Sequence, residues 1–362
     1  MTEPLYGSQA PVFKVEGEVK GELARDLRYL EVEEATDGLR RLTARFANWG
    51  PKEGQADEQL LYLDGRVLDF GKALEVSMGP AQDARIVFKG QVSAVEARFE
   101  AGAVPELVAF AEDKLMRLRM TRRHRTYEKT TDAEIAEAIA SAHGLDADAD
   151  APGPRYDLVQ QWDQSDLAFL RGRAQRIQAE IWLDGDTLCF KSRGSRTGTR
   201  LTLVHGNELI SALIRADLAH QRTKVKVSGY DARARDVIDE EAGSDVLQSE
   251  IAGGRSGPDV LQKAFGDRES YRVREAPLTG EEARHWAEAE MRRRGRGFVH
   301  VLGTARGQAD MIVGSRLSLE RVGAAFDGDG YYVTRVCHTY APRPPGFRTI
   351  FEAERPTVGE AA

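Results

Sequence analysis

The feature of this sequence that most constrains its fold is an internal repeat of alternating, strand-like segments. Three early segments have counterparts near the end of the chain, in the same order and at an offset of about 242 residues. The pairs are 70–79 with 313–323, QVSAVEARF (91–99) with YVTRVCHTY (332–340), and LVAFAED (107–113) with TIFEAER (349–355). Alternating strands also resemble one another by chance, which is the alternative, but the preserved order favours two copies of one β-module.

Length and charge restrict the class of protein. A chain of 362 residues is long enough for two or three domains with sizeable cores. The 41% hydrophobic and 30% charged residues are typical of a globular protein. With 51 Lys and Arg against 58 Asp and Glu, the net charge of −7 argues against a general nucleic-acid-binding protein.

The ends and the cysteines of the chain bear on its compartment. No run of about 18 apolar residues could span a bilayer, and MTEPLYGSQAPVF (1–13) lacks the basic and apolar regions of a secretion signal. We therefore expect a chain made in the cytosol with no stable membrane insertion. Cys189 and Cys337 both lie in apolar, strand-like runs, and we expect both to remain reduced.

The first hundred residues have the period-2 pattern and turn punctuation of strands. Predicted strands include 27–32, 39–46, 74–78 and 86–99. A further strand is predicted in KLMRLRMTRRHR (114–125), with three apolar side chains on one face and a basic opposite face formed by Arg117, Arg119, Arg123 and Arg125. That basic face is interpreted as a solvated or interface surface of a sheet. A nucleic-acid stripe is the weaker alternative, because no aromatic residues interleave the arginines.

A mixed α/β region follows from about Tyr127. Thr131 with Glu134 forms a capping-box pattern before a helix with Ile135, Ala138, Ile139 and Ala142 on one face and Gly144 beyond its end. DADADAPGP (146–154) is predicted to be a loop, and Ser165 to cap a second helix. A hairpin turned by Asp184-Gly185 is predicted next.

Strand patterns return from about Thr199, interrupted by a Gly-rich, acidic stretch at 236–258 that is predicted to be a mobile loop. Thr279 with Glu282 begins another helix, which is expected to end in Arg292, Arg293, Arg294 and Gly295. The arginine run complements the helix dipole there. The rest of the chain, 298–351, is predicted to be strands, so the fold class is mainly β with α+β parts.

A search for catalytic or metal-binding motifs finds none that is convincing. There is no HExxH, P-loop or GxSxG motif, and the seven histidines are scattered. Four acidic residues have calcium-loop spacing, but Ala151 stands where the turn needs Gly, so a solvated acidic loop is preferred; they are Asp146, Asp148, Asp150 and Asp157. Asp327 and Asp329 are interpreted as a turn. The sequence therefore predicts no catalytic, cofactor-binding or metal-binding residue, and no cofactor.

Several segments together resemble the phage late control D family, the hub protein of contractile tails, which is similar to the hub portion of VgrG spikes. They are 126–145, WDQSDLAFLRGRAQRIQAEIWLDGDTLCF (162–190), KVKVSGYD (224–231) and 330–355. The second is the most specific, and the resemblance runs from about residue 10 to about 357.

The resemblance implies two related tube-like β-barrel modules plus smaller α/β domains. The expected domains are a first barrel at 1–126, an α/β helix-helix-hairpin domain at 127–198, a second barrel at 199–235 with 296–362, and an inserted mobile or helical domain at 236–295. Three chains would present six barrels, adapting a sixfold tail tube to a trimeric spike. The chain stops at TVGEAA (357–362) without an OB-fold, which favours a stand-alone hub.

The implied function is a structural hub of a phage tail or contractile injection system, assembled in the bacterial cytoplasm. Its implied partners are two further copies of the chain, a tail tube protein, an OB-fold spike on a separate chain and baseplate wedge proteins. Interface strands are expected in 114–125 and in GFRTIFEAER (346–355). The alternatives are a tail-associated cell-wall-degrading enzyme and an adaptor that loads effectors.

Overall fold

The structure is a computed structural model that describes residues 10–51, 57–80, 82–251, 253–272 and 279–359. Residues 1–9 and 360–362 lie outside the described residues, and with them most of the segment tested for a secretion signal and the last residues of TVGEAA.

The first part of the chain is almost entirely strands. They and one short helix run as follows: Val12–Val15 (β1), Glu18–Val19 (β2), Gly21–Asp26 (α1), Leu27–Ala35 (β3), Gly38–Ala47 (β4), Gly50–Pro51 (β5), Glu58–Gln59 (β6), Ala73–Met78 (β7), Arg85–Arg98 (β8) and Glu106–Glu112 (β9).

The middle of the chain mixes helices and strands. Its elements are Met116–Arg119 (α2), Arg122–Thr130 (β10), Asp132–Ala142 (α3), Asp146–Ala149 (β11), Tyr156–Ser165 (β12), Asp166–Ile177 (α4), Ala179–Asp184 (β13), Thr187–Ser192 (β14) and a 3-10 turn at Arg193–Ser195.

Strands dominate again in the last part. Its elements are Arg200–Val204 (β15), Leu209–Ala216 (β16), Lys224–Asp231 (β17), Asp236–Gly243 (β18), a 3-10 helix at Ser244–Glu250, Arg255–Ser256 (β19), Gly257–Phe265 (α5), Glu269–Arg272 (β20), Gly280–Arg296 (α6), Val299–Arg306 (β21), Arg316–Glu320 (β22), Gly328–Tyr340 (β23), Phe347–Arg355 (β24) and Thr357–Val358 (β25).

One sheet of 13 strands contains both predicted β-modules. Its order is β16-β21-β24-β23-β3-β4-β9-β8-β7-β1-β2, with β22 also paired to β23 and β15 to β22. In sheet order, the first module consists of β3, β4, β9, β8, β7, β1 and β2. The second consists of β16, β21, β24 and β23, together with β22 and β15. They join where the carboxyl-terminal half of β23 pairs antiparallel with β3. The predicted mainly β fold with two related modules is confirmed.

The repeat extends to the strand register. In the first module Val92 opposes Ala111 and Val95 opposes Ala109, and in the second Val333 opposes Ala353 and Val336 opposes Phe351. Both ladders are interrupted by a bulge directly after the first of these valines, at Ser93 after Val92 and at Thr334 after Val333. Bulges are specific local features, so their recurrence at equivalent positions supports duplication over chance similarity.

The bulge residues also make the same contact. The hydroxyl of Ser93 donates to the carbonyl of Phe110 (3.4 Å), and the hydroxyl of Thr334 donates to the carbonyl of Glu352 (3.3 Å). A second pair of bulges recurs at the far side of each four-strand run, at Arg28 between β3 and β4 and at Ile210 between β16 and β21. The two modules therefore share bulges at two equivalent strand pairings, β8–β9 with β23–β24 and β3–β4 with β16–β21.

Four apolar clusters form the interior. The two sheet modules enclose one each, around Phe46 and Phe88 and around Tyr331 and Phe351. A third cluster lies among α3, α4 and the β13–β14 hairpin, and the fourth lies between α6 and β17–β18.

The predicted helix signals of the middle region are confirmed. Thr131 and Glu134 form the reciprocal capping box of α3, the Ser165 hydroxyl accepts from the backbone N–H of Ala168, and the hairpin turns at Asp184-Gly185. Thr279 caps α6 through the N–H of Glu282, and this helix continues to Arg296. In α3 the buried face includes Ala136 and Ala140 in addition to the predicted Ile135 and Ile139. Ala138 is partly buried against the same cluster, whereas Ala142 is exposed.

Two predicted loops are wrong. Asp146–Ala149 is strand β11, which pairs in parallel with β14, so backbone pairing outweighs the turn-like composition. Asp236–Gly243 is strand β18, which pairs along its whole length with β17. It buries Ile238 and Ala242 against α6, a long-range contact that its acidic composition does not reveal.

The predicted strand at 114–125 is also wrong in its first half. Met116–Arg119 is a short helix whose Met116 and Leu118 are buried, whereas Met120 is exposed. The Asp113 carboxylate accepts from the N–H of Leu115 and helps to turn the chain there. Over so short a run, alternating apolar residues are compatible with a helix as well as with a strand, so the pattern does not distinguish the two.

Candidate functional site

Within the described ranges, no group of three or more His, Cys, Asp or Glu side chains could hold a metal ion. Of the calcium-spaced aspartates, Asp148 pairs with Lys191 (2.6 Å), and Asp157 pairs with Arg233 (2.8 Å). These carboxylates serve as partners of nearby cations.

The arginines predicted to share one basic face are dispersed. Arg119 forms a bidentate pair with Glu112, and Arg123 pairs with the buried carboxylate of Asp166 (2.9 Å). Arg117 donates to Gln91, and Arg125 lies over the Tyr127 ring. Because Arg117 and Arg119 are on a helix and the other two on β10, no continuous basic strand exists here.

A buried ionic junction connects the two modules with the α/β region. The Arg196 guanidinium binds Glu34 of β3 (2.6 Å) and Glu180 of β13 (3.2 Å). Glu180 also accepts from the hydroxyl of Tyr332 in β23 (2.6 Å), and burial together with Glu180 raises the pKa of that phenol. Removing one member of such a buried network costs about 3–5 kcal/mol, because it leaves an uncompensated charge.

A second layer of the junction reaches the inserted segment. Arg193 lies 3.7 Å from the Tyr332 ring centroid and pairs with Glu354 of β24 (2.5 Å). Glu250 binds Arg296 of α6 (2.6 Å), and although burial opposes it, the Arg296 and Arg193 cations hold the pKa of Glu250 below its usual value. A cleft of about 860 Å³ opens beside these residues. Three of the carboxylates that line it pair with arginines: Glu250 with Arg296, Glu288 with Arg292 and Glu354 with Arg193. Such pairing is typical of a structural junction.

Both cysteines are buried. Desolvation raises the pKa of the Cys189 thiol to about 11 and that of the Cys337 thiol to about 12. Neither has the lowered pKa of a nucleophilic cysteine.

Two edges of the 13-stranded sheet are open among the described residues. Strand β16 ends the 13-stranded sheet, and among the described residues nothing pairs with its outer edge from Ala212 to Ala216. Strand β8 pairs with β7 up to Gln91, but from Ala94 to Arg98 the same edge has no partner in the described part of the chain. Leu213 on β16 is 61% exposed, and Phe99 just after β8 is 64% exposed.

The sequence interpretation placed the edges elsewhere. Strand β24, expected to be an interface strand, lies inside the sheet between β21 and β23. Sequence reasoning missed β16 as an edge and did not find Arg193 and Arg196. The signal that could have found β16 is its pair of large apolar residues, Ile210 and Leu213, which remain exposed in the single chain.

The described helices include none with the length and apolarity that crossing a bilayer requires.

Comparison with known proteins gives one family and a set of similar folds. A family model described as the Alg8 N-terminal domain matches residues 53–341. The expected late control D family is therefore not the one that the family comparison finds. No curated protein matches the chain.

The similar solved structures include tail proteins. A 43 kDa tail protein of prophage MuSo2 from Shewanella oneidensis is 14% identical, with a TM-score of 0.67 over 96% of this chain and 98% of that one. A tail protein from Neisseria meningitidis MC58 is 13% identical, with a TM-score of 0.64 over 96% of each chain. An E. coli component of the type VI secretion system, c3393, is 13% identical, with a TM-score of 0.56 over 97% of this chain and 79% of that one. The fold is therefore that of tail and spike-related proteins.

Proposed function

The chain belongs to the family described as Alg8 N-terminal domain and has the fold of phage tail proteins, and from these facts we propose that it is the structural hub of a contractile tail or injection system. In this role three copies adapt a sixfold tail tube to a trimeric spike. The chain has no catalytic function in the proposal.

The observation that carries this proposal is the register-for-register duplication of the sheet. A chain with two equivalent modules side by side can continue a sixfold tube when three chains form a ring, since each supplies two of the six units. The joint between β23 and β3 supplies one such module-to-module contact inside the chain. The open edges of β8 and β16 supply the surfaces for contacts between chains.

The domain division also remains a proposal: barrels at 1–126 and at 199–235 with 296–362, an α/β domain at 127–198 and an insert at 236–295. The ionic junction of Arg193 and Arg196 supports it, because it lies where these four parts meet. In the proposal the junction fixes the smaller domains relative to the modules. The partners are a tube protein, a separate OB-fold spike and wedge proteins, and the particle assembles in the bacterial cytoplasm.

An enzyme is the second candidate function, since the family description is related to glycosyltransferases. The 860 Å³ cleft does not favour it, because three of its carboxylates, Glu250, Glu288 and Glu354, are engaged by arginines. Cell-wall hydrolysis and sugar transfer from a nucleotide sugar are the two activities to assay on purified protein.

Co-expression with a tail tube protein and a spike protein from the same genome tests the hub proposal. Native mass spectrometry and electron microscopy are expected to give a complex with three copies of this chain in one ring. A strict monomer in the presence of both partners, or a closed dimer, would contradict the proposal. Turnover in either enzymatic assay, abolished by Glu250→Gln or Glu354→Gln but retained in Glu128→Gln, would favour an enzyme.

A further inference from the structure

We propose that the open edge of β8, from Val95 to Phe99, pairs antiparallel with the open edge of β16, from Ala212 to Ala216, of a second copy of this chain. The inference rests on the proposed ring and adds to it the two strands and their register. Both edges are free among the described residues: β16 ends the second module, and the last part of β8 extends beyond its pairing with β7 in the first.

The template for this contact lies inside the chain. Equivalent ladders and bulges align β8 with β23, so that Val92 and Val95 correspond to Val333 and Val336. The same comparison aligns β3 with β16. Leu27 and Leu209 oppose Phe46 and Ala305, and each is followed by a bulge. The contact between β23 and β3 is therefore the one that β8 and β16 would make.

The register follows from the internal pairing. Val336 opposes Glu34, Cys337 opposes Glu33, and Tyr340 opposes Leu30. Transferred to the equivalent positions, this register predicts the following pairs between two copies: Val95 with Ala216, Glu96 with Arg215, Ala97 with Ile214, Arg98 with Leu213 and Phe99 with Ala212.

The side chains at these positions fit the pairing. Directly opposed residues of antiparallel strands lie on one face, so Glu96 would face Arg215 with opposite charge. Both are exposed in the single chain, where Glu96 pairs with Arg98, two residues along the same strand (2.5 Å). The same contact would cover the exposed side chains of Leu213 and Phe99.

The two edges differ, so the contact is head-to-tail. Each copy offers β8 to one neighbour and β16 to the other, which produces a ring or an open chain but no twofold dimer. It also removes two unpaired edges that would otherwise template uncontrolled strand pairing.

Cysteine cross-linking tests the register on the full-length chain, assembled with tube and spike. Glu96→Cys with Arg215→Cys places two thiols opposite each other at a distance that a disulfide spans. Both positions are exposed, so the substitutions do not disturb the core. The matched control is Glu96→Cys with Leu213→Cys, which shifts the register by two residues and keeps the same face. Each single-cysteine variant controls for reaction of the buried Cys189 and Cys337.

Mild oxidation is expected to convert most of the 96/215 variant to covalent trimer and to leave the 96/213 variant and the single variants at background. A trimer by light scattering that cross-links at 96/213, or at neither pair, would overturn the register while leaving the hub proposal intact. Covalent chains longer than three would support the strand pairing and contradict the ring of three. A monomer with both partners present would overturn both proposals.

A charge exchange provides an independent readout. Glu96→Arg or Arg215→Glu alone should weaken ring assembly about tenfold or more, with a strong dependence on salt, and the double exchange should recover most of the loss. Loss in the double variant equal to the sum of the single losses would argue against this pair.

Discussion

Strands β8 and β23 are two copies of one element with different surroundings. They share their pairing register, their bulge and the hydroxyl contact at that bulge. Beyond the bulge, β3 covers the second edge of β23, and Cys337 and His338 are only 5% and 4% exposed. The equivalent residues of β8, Glu96 and Ala97, are exposed. The burial of a strand is therefore decided by its neighbour and not by its own ladder.

The side chains of the two strands differ in polarity in the same way as their surroundings. Strand β23 carries a thiol and a neutral imidazole where it is covered, whereas β8 carries Glu96 and Arg98 at its open edge. Charged residues on an open edge discourage non-specific strand pairing, and they can still favour one partner of complementary charge.

The largest expected difference between the two strands is in their tolerance of a buried charge. Val336→Asp places a carboxylate between β3 and β24, where the native side chain is 2% exposed, and should lower the free energy of unfolding by about 4 kcal/mol. Val95→Asp, at the equivalent position of β8, should cost about 1 kcal/mol in the dilute single chain. Denaturant unfolding of both variants measures this. Equal losses would show that β8 is covered in the single chain as well.

A second prediction concerns one pair of opposed residues whose side-chain sizes differ between the two modules. Ala44 opposes Ala109 in the first module, and the equivalent pair in the second is Gly303 opposite Phe351. A Cβ on Gly303 would lie 2.3 Å from the Phe351 ring, so Gly303→Ala should cost about 2–3 kcal/mol through overpacking.

A double-mutant cycle sharpens this prediction. Phe351→Ala alone should cost about 4 kcal/mol through the cavity that it leaves. Combined with Gly303→Ala, it recreates the Ala-Ala pair of the first module, and the double variant should lose at least about 1 kcal/mol less than the sum. Additive losses would mean that the two modules do not pack equivalently here.

The smallest expected effect is the pH dependence that the buried imidazole of His338 contributes in the second module. Burial lowers the pKa of His338 from 6.5 to about 4, although its contact with the Met311 carbonyl acts in the opposite direction. The unfolded chain therefore binds a proton below pH 6.5 that the folded chain binds only near pH 4. The stability contributed by neutral His338 is full above pH 6.5 and is lost as the pH falls, by about 2 kcal/mol between pH 7 and pH 5.

The comparison variant is His338→Gln, which keeps a polar group but does not titrate. Burial also raises the pKa of Asp113 to about 6, and protonation of that carboxyl favours the folded chain over the same pH interval. The difference between the native chain and His338→Gln isolates the imidazole from this opposing effect. The free energy of unfolding at pH 7 and pH 5 measures it, and equal pH slopes would contradict a buried neutral His338.

The local signals of this sequence were reliable where short-range chemistry decides the structure. The capping residues Thr131, Ser165 and Thr279 and the Asp184-Gly185 turn were all predictable, because each satisfies backbone groups within a few residues. Helix α2 and strand β18 were not, because Leu118 and Ile238 are buried by distant segments.

The sequence by itself determined that the chain is mainly β and that it contains one module twice, because period-2 patterning and a repeat at a nearly constant offset are properties of the chain alone. Only the tertiary structure decided which strands are edges. Strand β24 has the composition of an exposed strand and lies in the interior, while β16 and the end of β8 remain open. Edge position depends on which strands meet across about 300 residues of chain, as β23 meets β3, and such long-range pairing leaves no periodic signal in either strand.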